Sequence, residues 1–206
     1  YMVPTPNYRR ALSVGALLLF ACSCGDVRPQ PPVAKDGMLD LSGWDFERDG
    51  SVNLKGEWRF AWYVFVEPGP ISELRQKFLE TTEVPGSWLG QADPNVAGQT
   101  LAGVGHGSYL LQVKLPQRSA SSRAMKLGIR KLECTSAGTM SVWTEGGDER
   151  LLELEQGLPS PDGEIEIPVY DYRDGYFDVP AAGSIYILTH VSNHRHARGG
   201  IYGSVD

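Results

Sequence analysis

The sequence is poor in cysteine and in clustered positive charge. Its 206 residues include three cysteines, and none of them forms the CxxC pair that is typical of a structural zinc site. The 19 lysines and arginines are scattered and are outnumbered by 25 aspartates and glutamates, so the chain lacks the basic footprint that phosphate binding requires. We therefore expect no nucleic-acid partner, no bound metal and no cofactor.

Long apolar runs are also scarce, and the clearest one lies near the amino terminus. The run Ala11–Ala21 is shorter than the roughly 20 residues of a membrane-spanning helix, and it follows Arg9 and Arg10. Positive charge followed by a short apolar run is typical of a secretory signal. We predict a signal peptide over residues 1–25 and export to the periplasmic or extracellular face of a bacterial membrane. An uncleaved membrane anchor is the less favoured alternative.

Cys22 is the candidate lipidation site that would attach the chain to the membrane. The segment Leu19–Cys22 is similar to the lipobox at which bacterial lipoproteins are cleaved and acylated on cysteine, although Phe20 is bulkier than the usual residue. Ordinary signal cleavage near Ala21 or Gly25 is the alternative. Residues 26–38 are rich in proline and are predicted to form an extended tether.

Turn-forming residues are abundant in the rest of the chain. With 24 glycines and 14 prolines among 41% hydrophobic and 21% charged residues, the composition is typical of a globular, β-rich domain, which we place over residues 39–206. Short runs of alternating apolar residues predict strands near 57–66, 109–115, 125–129, 140–142, 151–154, 165–169 and 184–192. The predicted fold class is all-β, a two-sheet β-sandwich of jelly-roll type with at most one short helix, at Ser72–Leu79.

Catalytic motifs are not recognisable. The alternating carboxylates Glu153, Glu155, Glu164 and Glu166 are expected on solvated strand faces, whereas acid catalysis needs carboxylates that face each other across a cleft. The glycines of Gly103–Ser108 lack the spacing of a nucleophile elbow or a dinucleotide loop, and a strand follows them instead of a helix. Cys134 is expected to be a small buried hydrophobe. We predict a domain that is not an enzyme.

Three separated segments carry a family resemblance: Leu41–Trp58, Val84–Trp88 followed by Gly105–Pro116, and Ser192–Gly203. Together they resemble a galactose-binding-like jelly roll, and more narrowly the extracellular sensor domain of bacterial seven-transmembrane receptors with diverse intracellular signalling modules. The second segment is also similar to the sugar-binding domain that precedes the barrel in β-glucuronidase-type glycosidases. Either resemblance implies a binding domain whose ligand varies. We predict an exported, membrane-associated sensor or ligand-binding domain for a small polar molecule, as part of a signalling receptor. A sugar-binding accessory domain of a glycosidase and a stand-alone structural lipoprotein are the alternatives.

The segment Ser192–Gly203 is the candidate ligand-binding loop. Arg195 and Arg198 are suited to donate forked hydrogen bonds to a small polar ligand, either a carbohydrate or a carboxylate, beside Asn193 and Tyr202. Trp88, which lies in a glycine turn, is expected to stack on that ligand, and Trp44 is a weaker candidate of the same kind.

Two other interpretations of this loop stay open. His190, His194 and His196 suggest a metal site, but their spacing does not place three ligands on one face. In a purely structural interpretation, Asn193 caps the turn and the arginines pair with nearby carboxylates.

Overall fold

A computed structural model of the chain describes residues 29–117, 125–130, 133–170, 174–180 and 183–203. The predicted signal peptide, Cys22 and the first residues of the predicted tether lie outside these ranges, so export and lipidation stay predictions. Among the described residues, no helix is both long enough and apolar enough to cross a membrane.

Eleven strands and two helices make up the described chain. The strands are β1 (Met38–Asp40), β2 (Gly56–Trp62), β3 (Glu80–Val84), β4 (Gly86–Ser87), β5 (Gly105–Lys114), β6 (Lys126–Arg130), β7 (Ala137–Thr144), β8 (Arg150–Gln156), β9 (Asp174–Asp178), β10 (Ser184–Asn193) and β11 (Gly200–Ile201), and the helices are α1 (Phe46–Asp49) and α2 (Ile71–Lys77).

Most of these strands belong to one seven-stranded sheet. Its order is β3-β2-β5-β10-β7-β8, and β1 pairs in parallel with the second half of β5. The pairs β6–β9 and β4–β11 form two small antiparallel sheets. β10 lies between β5 and β7, and both of its faces are buried. Ile185 and Ile187 belong to the inner cluster, and Tyr186 and Leu188 belong to the outer one.

The inner face of the large sheet packs against the small sheets. Ile129 of β6, Phe177 of β9 and Ile201 of β11 belong to the same buried cluster as Trp58 and Leu111 of the large sheet. This two-layer packing confirms the predicted all-β sandwich. At one end of the sandwich the layers leave an apolar cavity of about 200 Å³, which is lined by residues of β5, β10, β6 and β9 and by residues 50–54.

The outer face of the large sheet is covered in part by α2. Ile71 and Leu74 of the helix are buried in one cluster with Leu110, Tyr186 and Leu188. The prediction of a helix at Ser72–Leu79 with Leu74 and Phe78 on one face is confirmed in kind, but the helix begins at Ile71 and ends at Lys77. The prediction of at most one helix is wrong. α1 is a single turn that Asp45 caps by accepting hydrogen bonds from the backbone N–H groups of residues 47 and 48. A turn this short has no apolar periodicity to detect.

Three predicted boundaries also differ from the structure. The strand expected to reach Val66 ends at Trp62, because Tyr63 adopts a φ of 59° that breaks the extended backbone. The strand expected near 165–169 is reduced to one bridge between Leu158 and Ile167. The extended tether does not reach residue 38, because Ala34 is buried and forms a β-bridge with Gly56, the first residue of β2.

Candidate functional site

A cleft of about 390 Å³ opens beside the loop that follows β10. Three stretches of chain and the end of β8 contribute to it, and its lining residues are Glu133, Cys134, Thr135, Gln156, Tyr170, His196, Arg198 and Tyr202. The sheet topology explains this convergence. β10 lies next to β7, and β7 pairs with β8, so the residues before β7, after β8 and after β10 meet at one end of the sheet.

The floor of the cleft is held by Gln156, which is buried and whose amide both accepts and donates a hydrogen bond. Its side-chain Oε1 accepts from the backbone N–H of Cys134 at 3.3 Å, and its Nε2 donates to the backbone carbonyl of Cys134 at 3.0 Å. Cys134 itself is buried, as predicted, and its backbone also bridges to Ile201 of β11. A backbone held from both sides gives the cleft a preformed floor.

The walls of the cleft carry two exposed aromatic rings. Tyr170 is 68% exposed and Tyr202 is 41% exposed. The Tyr170 hydroxyl lies 2.7 Å from His196 Nε2, so one wall is joined to the loop after β10. The backbone N–H of Tyr202 donates to the carbonyl of Glu133 at 2.8 Å, which fixes the other ring beside the floor.

Charged groups of both signs lie at the same opening. Arg198 and Glu133 are exposed members of the lining, and His196 is half-buried. An arginine fork and a carboxylate provide hydrogen-bond donors and acceptors, while tyrosine rings provide flat apolar faces with polar ends. This combination is suited to a small ligand that has several hydroxyl or carboxylate groups.

Two of the five predicted ligand residues, Arg198 and Tyr202, line this cleft. Trp88 does not. Its side chain is 1% exposed, its ring lies 4.9 Å from that of Trp62, and its Nε1 donates to the carbonyl of Gly103 at 3.0 Å. Trp88 therefore presents no ring face to a ligand, and the expectation that it stacks on one is not met. Trp44 is likewise buried, and its Nε1 donates to the carbonyl of Gly50.

Asn193 is buried beneath the loop, where it shapes the turn. Its Nδ2 donates to the carbonyls of Gly103 at 2.7 Å and His196 at 2.8 Å, and its Oδ1 accepts from the backbone N–H of His196 at 3.1 Å. These bonds occupy the amide inside the protein, which agrees with the structural interpretation of this residue. Gly199 completes the turn, because a Cβ at that position would lie 2.0 Å from the Trp88 ring.

Arg195 is exposed, does not belong to the cleft lining, and approaches a buried carboxylate instead. Its Nε lies 4.0 Å from Glu166 Oε1. Glu166 was expected on a solvated strand face, and that expectation is wrong: the residue is 2% exposed. Glu153 and Glu155 are exposed as predicted. Alternation along the sequence places Glu166 on one side of the chain, but it contains no signal that this side is covered by protein.

The three histidines of the metal interpretation have separate partners. His190 Nε2 lies 3.0 Å from the carbonyl of Val66, His194 Nε2 lies 3.0 Å from that of Ser160, and His196 contacts Tyr170. Among the residues that the structure describes, no group of three or more His, Cys, Asp or Glu side chains is arranged to hold a metal ion.

No protein-family model and no curated protein sequence matches the chain. Similar solved structures include a β-glucuronidase of Ruminococcus gnavus (12% identity, TM-score 0.41), a β-glucuronidase of Faecalibacterium prausnitzii (18%, 0.42) and a GH2 β-galacturonidase of Eisenbergiella tayi bound to galacturonate (13%, 0.38). These alignments cover 74%, 70% and 74% of this chain but only 27%, 21% and 24% of the enzymes.

The three enzymes correspond to the glycosidase resemblance of the sequence and not to the receptor-sensor resemblance. At TM-scores near 0.4, this similarity carries no argument about function. The fold and the cleft define the class to which this chain can be assigned, an all-β sandwich with an open cleft at one end.

Proposed function

We propose that the chain is a non-catalytic domain that binds a small polar ligand, a carbohydrate or a carboxylate, in the cleft beside the loop after β10. The observation that carries this proposal is the grouping of two exposed tyrosine rings with Arg198 around a preformed cleft of about 390 Å³. Ligand sites for small molecules typically occupy roughly 300–1,000 Å³ and combine apolar surface with a few placed polar groups.

The chemistry of the cleft favours a hydroxyl-rich ligand. Tyr170 and Tyr202 are suited to pack against the C–H face of a sugar ring, and Arg198 can donate two parallel hydrogen bonds to neighbouring oxygens. Glu133, which also lines the cleft, can accept a hydrogen bond from a ligand hydroxyl. A carboxylate ligand uses the same arginine through a bidentate ion pair.

The proposal of a non-catalytic role follows from the carboxylates. Glycoside hydrolysis requires two carboxyl groups on either side of the scissile bond, roughly 5–10 Å apart. Among the described residues that line the cleft, Glu133 is the one that carries a carboxylate. Glu166, the nearby buried carboxylate, already accepts three hydrogen bonds from the protein.

A panel of neutral sugars, uronic acids and organic acids, measured by thermal shift and calorimetry, tests the proposal. Arg198→Ala and Tyr202→Ala should abolish the response to the best ligand while changing the unliganded melting temperature by little, because both side chains are exposed. Arg195→Ala is the matched control, since this exposed arginine of the same loop lies outside the cleft lining. Its response should equal that of the unmodified protein.

Three outcomes contradict the proposal. A panel that shifts nothing excludes this ligand class, and binding that survives both cleft substitutions moves the site elsewhere. Turnover of aryl glycosides or esters by pure protein, abolished by Glu133→Gln, replaces the binding role with an enzymatic one.

The wider role that we propose is that of an exported, membrane-associated binding or sensor domain. Lipidation at Cys22 belongs to this proposal and predicts fatty-acid labelling that Cys22→Ala abolishes. The coding sequence downstream of Asp206 distinguishes the host proteins. Apolar spans there identify a receptor, an α/β barrel identifies a glycosidase, and a stop codon identifies a stand-alone lipoprotein.

A further inference from the structure

Glu166 is a buried carboxylate that the binding proposal leaves without a role. Its Oε1 accepts from Ser136 Oγ at 2.6 Å and from the backbone N–H of His194 at 3.3 Å, and its Oε2 accepts from Ser192 Oγ at 2.5 Å. Both serines are completely buried. Placing a carboxylate in such surroundings has a high desolvation cost, which three charge-assisted hydrogen bonds offset in part.

The groups that bind this carboxylate belong to separate segments of the chain. Ser136 lies directly before β7, Ser192 lies near the end of β10, and His194 lies in the loop that follows. Glu166 itself comes from the segment after β8. A single side chain therefore connects three segments that are distant in sequence.

Each of these segments also contributes to the cleft. Thr135 of the floor is the neighbour of Ser136, and His196 and Arg198 follow His194 in the loop. Tyr170 lies four residues after Glu166 in its own segment. The carboxylate is thus hydrogen-bonded to the segments that carry Thr135 and His196, and it belongs to the segment that carries Tyr170.

We propose that Glu166 is a positioning residue of the binding site: its carboxylate holds the Tyr170 segment and the loop after β10 at the spacing that forms the cleft. This inference rests on the proposed function, because it assigns Glu166 to the same cleft. Glu166 does not line that cleft and touches no ligand there. The contact between the Tyr170 hydroxyl and His196 Nε2, at 2.7 Å, depends on the distance between these two segments.

A general contribution to stability predicts a different pattern of effects. If Glu166 only stabilised the fold, its loss would lower the melting temperature without a specific effect on the Tyr170–His196 contact. The nearby Arg195 is not one of the hydrogen-bond partners of Glu166, because its Nε lies 4.0 Å from Glu166 Oε1, beyond hydrogen-bond distance.

The test compares the nitrogen NMR resonances of the His196 ring in variants of the full chain without ligand. Tyr170→Phe sets the reference, since it removes the hydroxyl that contacts His196 Nε2. Glu166→Ala should move the His196 resonances from their wild-type positions at least as far as Tyr170→Phe does. Glu166→Gln should restore them in part, because its amide oxygen can still accept from Ser136 and from the backbone of His194.

Leu74→Ala is the control for lost stability alone. Leu74 lies on the buried face of α2 in the outer cluster and does not line the cleft. This variant should melt at a lower temperature and keep the wild-type His196 resonances. If Glu166→Ala does not fold, Ser136→Ala takes its place, because it removes one of the three hydrogen bonds and leaves the carboxylate. It should shift the resonances in the same direction by a smaller amount.

Wild-type His196 resonances in a folded Glu166→Ala protein, or in Ser136→Ala where that variant replaces it, overturn the inference. A shift of the same size in Leu74→Ala also overturns it, because the effect would then follow stability. The measurement uses no ligand, so it separates the two proposals. If the resonances move as expected but the sugar and acid panel binds nothing, Glu166 positions these segments and the binding proposal fails by itself.

Discussion

Trp88 shows why a tryptophan in a glycine turn is ambiguous at the scale of one residue. The same sequence context suits an exposed stacking platform and a buried anchor, and the ring is buried against Phe60 and Trp62. We therefore expect Trp88→Ala to lower the free energy of unfolding by about 3–5 kcal/mol, as for other large-to-small changes in a core. Urea denaturation measures this. Arg198→Ala, at an exposed position, should stay within about 0.5 kcal/mol of wild type.

An unchanged unfolding midpoint in Trp88→Ala would show that the ring is not part of the core. It would also return Trp88 to the list of ligand residues.

His190 is the residue through which we expect acid to weaken the fold. Its ring stacks on Phe65 with centroids 4.8 Å apart, and its Nε2 donates to the carbonyl of Val66, which is compatible with a neutral ring. Burial lowers the pKa of His190, and the hydrogen bond to Val66 and the nearby Glu67 and Glu153 oppose this only in part. The unfolded chain, in which histidine has a pKa of about 6.5, therefore binds the proton more tightly than the folded one.

The free energy of unfolding should accordingly be highest above about pH 6.5 and fall as the pH decreases through the interval between the unfolded and the lowered folded pKa. His190→Gln should reduce this slope when urea denaturation is repeated between pH 7.5 and 5. The variant should keep part of the pH dependence, because burial also lowers the pKa of His106. An identical slope in the variant would contradict the assignment to His190.

At the scale of elements, sequence alternation predicts most of the long strands, including β6 and β8, which have one partner strand each, but not every alternating run forms a strand. β5 and β10 were predicted and are found, because their apolar residues pair across a long register from Ser184 opposite Lys114 to Asn193 opposite Gly105. Ile165 and Ile167 alternate just as clearly, yet both are more than half exposed. Alternation records compatibility with a sheet, but it does not reveal whether a partner strand is available.

The packing of α2 gives the prediction at this scale. Leu74 is completely buried, and Glu73 on the same helix is exposed. Leu74→Ala should lower the free energy of unfolding by about 2–5 kcal/mol, since it leaves a cavity between the helix and the large sheet. Glu73→Ala, measured in the same denaturant series, should change it by less than about 0.5 kcal/mol. Equal effects would mean that the helix does not pack on the sheet.

At the scale of the whole molecule, the sequence predicted two residues of the proposed site and not its extent. Arg198 and Tyr202 were predicted because one short segment concentrates polar residues on both sides of Gly199 and Gly200. Tyr170, Gln156 and Glu133 were missed, because they reach the cleft only through the order of strands in the sheet. A linear pattern carries no information about which distant segments become neighbours.

The apolar cavity at one end of the sandwich gives the corresponding prediction for stability. Val113 of β5 lines this cavity, whereas Val142 of β7 faces the same core without lining it. Val113→Leu should raise the melting temperature, because the added volume enters empty space. Val142→Leu should lower it, since extra volume in a filled core forces side chains out of their preferred rotamers. Calorimetry of both variants checks the pair, and a decrease in both would mean that the cavity cannot accept the added volume.

The position of β10 between β5 and β7 has a consequence for how the protein is made. Among the described strands, β10 joins the β3-β2-β5 group to the β7-β8 pair, and it comes after all of them in the sequence. While the chain is being translated, the earlier strands therefore leave the ribosome as two groups without hydrogen bonds between them. The loop that carries His196, Arg198 and Tyr202 appears later still. The proposed ligand binding should therefore arise abruptly once residues up to Tyr202 have left the ribosome, and should not grow gradually with the length of the nascent chain before that point.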